Sequence, residues 1–206
     1  MTFARQERED LAAFLATLSE QQWSEPTLCT GWNVRDLVAH VVSFDELDGR
    51  GLVRRFVAGR FIPSRINAIG VAEYAKRSPR ELLEVLTEHV EPRGFTTGFG
   101  GMIALIDGMV HHQDIRRALG MPRDIPPDRL LRTLRLALLA PPIGAFWRAR
   151  GLRLVASDQA WASGRGPEVR GPAEAILMAV AGRRGVVEEL SGPGQRKLAG
   201  RINGGT

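Results

Sequence analysis

An aspartate and a histidine four residues apart, Asp107 and His111, stand in a run of mostly apolar residues. On an α-helix this spacing places both side chains on one face, one turn apart. A carboxylate and an imidazole in that relation can share one metal ion. Because a catalytic site of the zinc type uses three protein ligands, the pair predicts a half-site that another helix must complete.

His40 lies in a second predicted helix and can supply the third ligand. Asn33 is a suitable N-cap, and the spacing of the valines and leucines that follow predicts a helix from Val34 to about Leu47. His40 falls among these apolar residues, within reach of the same side. Two nitrogens and one oxygen from two helices would form a metal site of the kind found inside helical bundles.

Ligating histidines need hydrogen-bond acceptors behind them. Asp36 stands one turn before His40, and Asp114 stands three residues after His111. We therefore expect these two carboxylates to accept hydrogen bonds from the ligands. His112 follows His111 and projects roughly 100° away on a helix. It is expected on the outer face of that helix or behind a ligand.

The composition indicates a cytoplasmic protein. The chain has 206 residues, 44% of them hydrophobic, which is enough for one substantial core or two small units. No apolar run approaches the roughly 20 residues that cross a bilayer, and the charged N-terminus lacks a signal-peptide core. The single cysteine, Cys29, fits a reducing compartment. The net charge of +5 comes from scattered arginines, which disfavours nucleic acid as a partner.

Periodicity changes along the chain, from a helical first part to a mixed last part, which predicts an α+β protein that is mostly α. Further helices are predicted over 5–18, 79–90, 102–119, 128–139, 172–181 and 195–202. Strands are predicted over 151–157, 168–170 and 186–190, with a glycine-rich turn at 161–167. Residues 49–65 form a basic segment that Pro63 interrupts.

Three stretches resemble a known family. Residues 23–40, Trp-Ser-Glu-Pro-Thr-Leu-Cys-Thr-Gly-Trp-Asn-Val-Arg-Asp-Leu-Val-Ala-His, are similar to the N-terminal motif of the mycothiol-dependent maleylpyruvate isomerase family. Residues 107–118, which read acid-x-x-x-His-His-x-Asp-Ile-Arg-Arg-Ala, resemble its second ligand motif. More weakly, Gly-Pro-Ala-Glu-Ala-Ile-Leu at 171–177 and the Gly-Arg pair at 182–183 resemble the small domain often appended to it.

The resemblance implies a fold and a set of ligands. It implies a DinB-like metal-binding four-helix bundle over residues 1–124, followed by a small mixed α/β domain over residues 125–206. The family's metal ligands fall on His40, Asp107 and His111, and the expected metal is zinc. The family usually has glutamate at the position of Asp107, whose carboxylate reaches about 1.5 Å less far. The helices must then lie closer, a water must bridge, or tight metal binding is lost.

The resemblance also implies an activity. The expected protein is an isomerase or S-transferase that uses a low-molecular-weight thiol, with mycothiol as the expected one, on a small electrophilic substrate. The metal would stabilise the thiolate or polarise a substrate carbonyl. Arg35, Arg116 and Arg117 can bind a substrate carboxylate, or can form surface ion pairs. No catalytic residue is assigned, and a homodimer stays open.

Two alternatives remain. One is a bundle that keeps the scaffold but binds no metal and has no activity, for which the short side chain of Asp107 is the best support. The other is a helical DNA-binding regulator in which the helix after Asn33 reads a groove. That helix carries one arginine and then turns apolar, whereas a recognition helix exposes polar residues over more of its length.

Overall fold

The computed structural model describes residues 1–204, without the side chains of Phe95 and Pro142. Two compact units divide the chain, and the boundary lies between Pro122 and Arg123. Within residues 1–204, no helix combines the length and the apolar character that a membrane span requires.

The first unit is a four-helix bundle with a helical hairpin attached. Its helices are α1 (Thr2–Leu15), α2 (Glu20–Trp23), α3 (Val34–Val42), α4 (Gly49–Ala58), α5 (Pro63–Glu73), α6 (Pro79–Glu88) and α7 (Gly98–Ala118), with a 3-10 turn at Gly94–Thr97. Helices α1 and α3 each pack against both α6 and α7, which closes the bundle. Helix α5 packs on α3, and α4 packs on α5. The predicted bundle fold is confirmed.

Local signals for the ends of helices agree with the structure. Ser19, Asn33 and Ser78 each form an N-terminal capping box, and Asn33 is the N-cap that the sequence predicts. Helix α7 ends in a Schellman motif, because Met121 N–H donates to the Arg116 carbonyl at 2.9 Å. Gly120, between them, has a φ of +65°. Glycine adopts such a backbone conformation without the strain that a side chain would add.

Helix α3 is shorter than predicted, ending at Val42 instead of about Leu47. The hydroxyl of Ser43 donates to the carbonyl of His40 at 3.0 Å, which offers the last turn a side-chain partner. Two residues later, Asp45 lies 2.7 Å from the buried guanidinium of Arg8. This ion pair joins the segment after α3 to α1, and local sequence could not predict it.

The basic segment at 49–65 also differs from the expectation, because it forms α4 and the start of α5. Arg60 and Phe61 separate the two helices, and both have left-handed backbone angles, with φ values of +55° and +58°. Pro63 occupies the first turn of α5, where its missing N–H has no helical partner to lose. The proline therefore starts a helix here instead of ending one.

The second unit combines helices with a small sheet. In chain order it has α8 (Pro127–Ala137), a 3-10 turn (Pro141–Ile143), α9 (Ala145–Ala149), β1 (Arg153–Ala156), β2 (Ala162–Gly164), β3 (Glu168–Gly171), α10 (Ala173–Val180), a second 3-10 turn (Val186–Glu189) and α11 (Gln195–Asn203). The strand order is β2-β1-β3, with β2 antiparallel and β3 parallel to β1.

Three details of this unit correct the sequence prediction. The predicted strand at 186–190 is a 3-10 turn, in which Val186 and Val187 are buried and the next two glutamates are exposed. Two buried residues in succession do not fit the alternation of a strand. Strand β2 lies in the predicted turn region, and α9 was not predicted. The predicted α+β class, mostly α, is confirmed.

Candidate metal centre

Helices α3 and α7 bring three potential ligands together, which we call the ligand cluster: His40, Asp107 and His111. One ligand atom from each lies within 4.8 Å of the other two. The side chains of the two histidines are only 6% and 11% exposed, whereas that of Asp107 is 33% exposed. The ligand cluster is therefore enclosed by the bundle on the side of the histidines and is open to solvent beside the Asp107 carboxylate.

The distances inside the ligand cluster suit coordination better than hydrogen bonding. Asp107 Oδ1 lies 3.5 Å from His40 Nε2 and 3.4 Å from His111 Nε2. Metal–ligand bonds of about 2.0–2.2 Å at tetrahedral angles separate ligand atoms by roughly 3.3–3.6 Å. Strong hydrogen bonds between nitrogen and oxygen are shorter, at about 2.7–3.2 Å. Two of the three separations in the ligand cluster thus match the edges of a tetrahedral metal site, in which a fourth position would be open.

Electrostatics within the ligand cluster favour the ionised carboxylate. Burial alone raises the pKa of Asp107, but the imidazoles of His111 and His40 hold that pKa well below its usual value. Burial lowers the pKa of His111, but the charge of Asp107, together with the hydrogen bond that the imidazole donates to Asp114, raises that pKa well above the ordinary value. The metal-free pocket therefore favours a cation beside Asp107, which is the charge a divalent metal supplies.

The other ring nitrogen of His111 faces a buried acid and a thiol. His111 Nδ1 lies 2.9 Å from Asp114 Oδ2, and the Cys29 thiol donates to the same oxygen at 3.2 Å. Cys29, His111 and Asp114 also form a possible ligand group by proximity. However, the 2.9 Å separation is a hydrogen-bond distance and is too short for the edge of a coordination tetrahedron. We therefore interpret Cys29 and Asp114 as residues that orient His111 and not as metal ligands.

His40 has aromatic neighbours where an acceptor was expected. The centroid of its ring lies 5.1 Å from that of Trp32 and 6.2 Å from that of Phe44. Its Nδ1 is buried and has no hydrogen-bond partner among residues 1–204. The expectation that Asp36 supports His40 is wrong in this structure, because the Asp36 carboxylate accepts from the Asn33 N–H in the capping box of α3. The hydrogen bond from the nearby Asn33 N–H thus takes the place of the expected bond between Asp36 and His40, which lies one turn further along α3.

His112 belongs to a different cluster, and its expected place on the outer face is wrong. Its side chain is fully buried, with Nδ1 lying 3.0 Å from Glu7 Oε1. The Arg116 Nε–H donates to His112 Nε2 at 2.8 Å. Arginine can only donate, so His112 Nε2 accepts. Its Nδ1 then carries the hydrogen and donates a hydrogen bond to the Glu7 carboxylate. We call Glu7, His112 and Arg116 the buried triad; it joins α1 to α7.

The three arginines proposed for substrate binding are not gathered at the ligand cluster. Arg116 is engaged in the buried triad, and its guanidinium carbon lies 3.8 Å from the ring centroid of Phe14. Arg35 precedes His40 by five residues and Arg117 follows His111 by six, so they project roughly 140° and 120° away from these ligands on a regular helix. A substrate role for Arg35 or Arg117 stays a prediction.

The turn that carries Cys29 is the feature that sequence reasoning missed. From the sequence alone, Cys29 is either a reactive thiol or, as we favour, a small buried side chain next to the start of a helix. In the structure it is half-buried and reaches the acid behind His111. The signal for this role was present in the motif at residues 27–32, where a glycine next to a tryptophan indicates a tight turn immediately before α3.

Comparison with known proteins places this site in context. Residues 4–94 match the family described as the mycothiol maleylpyruvate isomerase N-terminal domain. An uncharacterized protein, found in two strains of Mycobacterium tuberculosis, is 26% identical over 160 residues, which cover 72% of this chain and 82% of the relative.

Two solved structures share the fold. One is the crystal structure of the mycothiol-dependent maleylpyruvate isomerase, with a TM-score of 0.58 and 19% identity over 93% of this chain and 90% of that one. The other is a histidine-to-alanine mutant of the same enzyme, with a TM-score of 0.58 and 18% identity. The N-terminal part of the chain is therefore similar to the mycothiol maleylpyruvate isomerase N-terminal domain, and the likeness to the two crystal structures, at 18–19% identity, shows a shared fold.

Proposed function

We propose that the protein is a metal-dependent enzyme that uses a low-molecular-weight thiol, mycothiol, to isomerise or conjugate a small electrophilic acid. The observation that carries the proposal is the ligand cluster, with spacings of 3.4 and 3.5 Å around the Asp107 carboxylate. The family of the N-terminal domain and the activity of the enzyme that shares the fold supply the thiol and the substrate class.

His40, Asp107 and His111 would hold the metal, and zinc suits a site of two imidazoles and one carboxylate. When bound, such an ion lowers the pKa of a coordinated thiol and polarises a carbonyl. The protein side chains supply orientation. Asp114 keeps the His111 proton on Nδ1, and the ring of Trp32 limits the space beside His40. The exposed side of Asp107 leaves a path for a thiol and a substrate.

The chemistry follows from the thiolate. Addition of a thiolate to an activated double bond converts that bond to a single bond, which can rotate. Expulsion of the thiolate then leaves the isomer and returns the thiol. If the adduct takes up a proton instead, the thiol stays attached and the product is an S-conjugate. The two outcomes differ in thiol consumption, which is zero for an isomerase and one per turnover for a transferase.

Metal analysis and turnover test this proposal together. Purified wild-type protein should hold about one zinc per chain, as a single three-ligand site requires. The His40→Ala, His111→Ala double variant should hold almost none. His89→Ala is the matched control, because His89 lies outside the ligand cluster and hydrogen-bonds through Nδ1 to the carbonyl of Val85. Equal metal content in wild type and the double variant would reject the site.

Zinc-loaded protein is then incubated with mycothiol and maleylpyruvate, while the diene absorbance and the free thiol are followed. Isomerisation without thiol loss supports an isomerase, and equimolar thiol loss supports a transferase. Metal-loaded protein that shows neither reaction with electrophilic acids would favour the non-catalytic alternative.

The DNA-binding alternative is not supported by the fold. Helix α3, which would be the recognition helix, buries seven of its nine residues in the bundle. A helix that enters a DNA groove must expose the side chains that read the bases. The metal-free bundle is the remaining alternative, and the metal analysis decides it.

A further inference from the structure

Cys29 is the only cysteine of the chain and is not one of the three proposed ligands. Its Sγ lies 3.2 Å from Asp114 Oδ2 and 3.7 Å from His111 Nδ1. We propose that Cys29 is a positioning residue of the metal centre, whose S–H fixes the Asp114 carboxylate that orients His111. This inference rests on the proposed function, because the orientation of His111 matters to a metal bound at its Nε2.

The argument depends on two donors that meet at one oxygen. The imidazole N–H of His111 and the thiol of Cys29 both point to Oδ2 of Asp114, which is fully buried. A carboxylate oxygen has two lone pairs and can accept both bonds. Rotation of the carboxylate would break both at once, so the second donor stabilises the orientation that the first requires.

The orientation of Asp114 determines which nitrogen of His111 faces the metal. While Asp114 accepts from Nδ1–H, Nε2, which lies 3.4 Å from Asp107, is the nitrogen whose lone pair is left for a metal. The opposite tautomer would place a proton where the metal binds. Cys29 thus acts through Asp114 on the tautomer of a ligand, in the way that outer hydrogen-bond partners tune metal sites.

The turn at residues 27–32 holds Cys29 in this place. Trp32 N–H donates to the Cys29 carbonyl at 3.0 Å, and Leu28 N–H donates to the backbone carbonyl of Asp114 at 3.3 Å. Gly31 has a φ of +84°, as the third position of a type II turn requires. The same turn places the ring of Trp32 beside His40. One turn therefore contacts the surroundings of both ligating histidines.

The test compares three variants at this turn: Cys29→Ala, which removes the donor, Cys29→Ser, which keeps one, and Thr30→Ala, an exposed neighbour that serves as control. Zinc affinity is measured by competition with a chromophoric chelator, with a phosphine as the reductant so that no added thiol binds zinc. The melting temperature of the metal-free protein is recorded in parallel.

We expect Cys29→Ala to weaken zinc binding about 10-fold, the lower end for loss of an outer hydrogen-bond partner. Cys29→Ser should stay within roughly 3-fold of wild type, because a hydroxyl also donates to a carboxylate. Thr30→Ala should bind like wild type, and all metal-free proteins should melt together.

Three results would overturn the inference: wild-type affinity in Cys29→Ala, equal losses in Cys29→Ala and Cys29→Ser, or a loss in Thr30→Ala as large as that in Cys29→Ala. A lower melting temperature of metal-free Cys29→Ala with unchanged zinc affinity would make Cys29 a folding residue and also overturn it. Wild-type protein that binds no zinc would instead overturn the proposed metal centre itself, and the inference with it.

Discussion

Two neighbouring histidines of α7 lie in opposite surroundings. His111 belongs to the ligand cluster, and its Nε2 faces a carboxylate at 3.4 Å. His112 belongs to the buried triad, where Glu7 and Arg116 engage its two nitrogens at 3.0 and 2.8 Å. Because successive residues of a helix project about 100° apart, one step along the chain turns a side chain from α3 toward α1.

His111 and His112 differ in the partners of their ring nitrogens. Both nitrogens of His112 are at hydrogen-bond distance from charged partners on the same or a neighbouring helix. His111 has one such contact, to Asp114, and a second nitrogen directed at Asp107 across a gap suited to an ion. Identical side chains thus serve the packing of the bundle in one case and a candidate binding site in the other.

The largest effect is expected at the buried triad. His112→Ala leaves Glu7 and Arg116 without the imidazole between them, and loss of one partner in a buried charged network costs about 3–5 kcal/mol of unfolding free energy. Chemical denaturation of the metal-free protein measures this loss of unfolding free energy. The zinc content per folded chain should not change. Loss of zinc with unchanged stability would reverse the roles given to the two histidines.

The next effect is expected at the ligand cluster. His111→Ala removes a direct ligand, so the dissociation constant for zinc should rise by more than about 100-fold, the upper end for outer partners. The metal-free variant should also lose about 1–3 kcal/mol of unfolding free energy, because the fully buried Asp114 loses its imidazole donor. Competition with a chelator and denaturant melts are the two readouts. Retention of tight zinc binding would remove His111 from the site.

A smaller effect is expected from lengthening the carboxylate. Asp107 already lies at coordination-edge distances from both histidines, so Asp107→Glu should move its oxygen by up to about 1.5 Å and weaken zinc binding roughly 10-fold. Asp107→Asn is the companion variant, because it keeps the length and removes the charge. Tighter binding by Asp107→Glu would show that the pocket is built for the longer acid.

The smallest effect is expected between the two clusters, at Gly108. A Cβ there would meet Glu7 Cγ at 3.5 Å, an ordinary contact. Gly108→Ala should therefore raise the unfolding free energy by up to about 1 kcal/mol through helix propensity and leave zinc affinity unchanged. A destabilised variant would mean that α1 and α7 pack too closely for a methyl group.

Local signals predicted much of this molecule. The caps at Asn33 and Ser78 depend on neighbouring residues alone, and the same is true of the spacing that puts Asp107 and His111 on one face. The four-helix bundle was predicted from the resemblance of motifs. Periodicity alone predicted helices but not their arrangement.

Two of the errors at the site came from partners that are distant in sequence, and one came from a local cap. Glu7 lies 105 residues before His112, so nothing near His112 indicated that it would be buried. Asp36 satisfied the backbone of its own helix end instead of reaching His40. Cys29 gained its place from contact with α7, 85 residues away. For His112 and Cys29, a specific tertiary contact decided between orientations that the local sequence left equal, whereas for Asp36 the cap of its own helix decided.

X-ray absorption spectroscopy of protein loaded with one equivalent of zinc tests the central claim most directly. It separates the ligand cluster from the neighbouring group of Cys29, His111 and Asp114, because sulfur and nitrogen scatter differently and bind zinc at about 2.3 and 2.0–2.1 Å. We predict two imidazole nitrogens, further nitrogen or oxygen ligands and no sulfur. A sulfur ligand at about 2.3 Å, or a shell without imidazole scattering, would contradict the account.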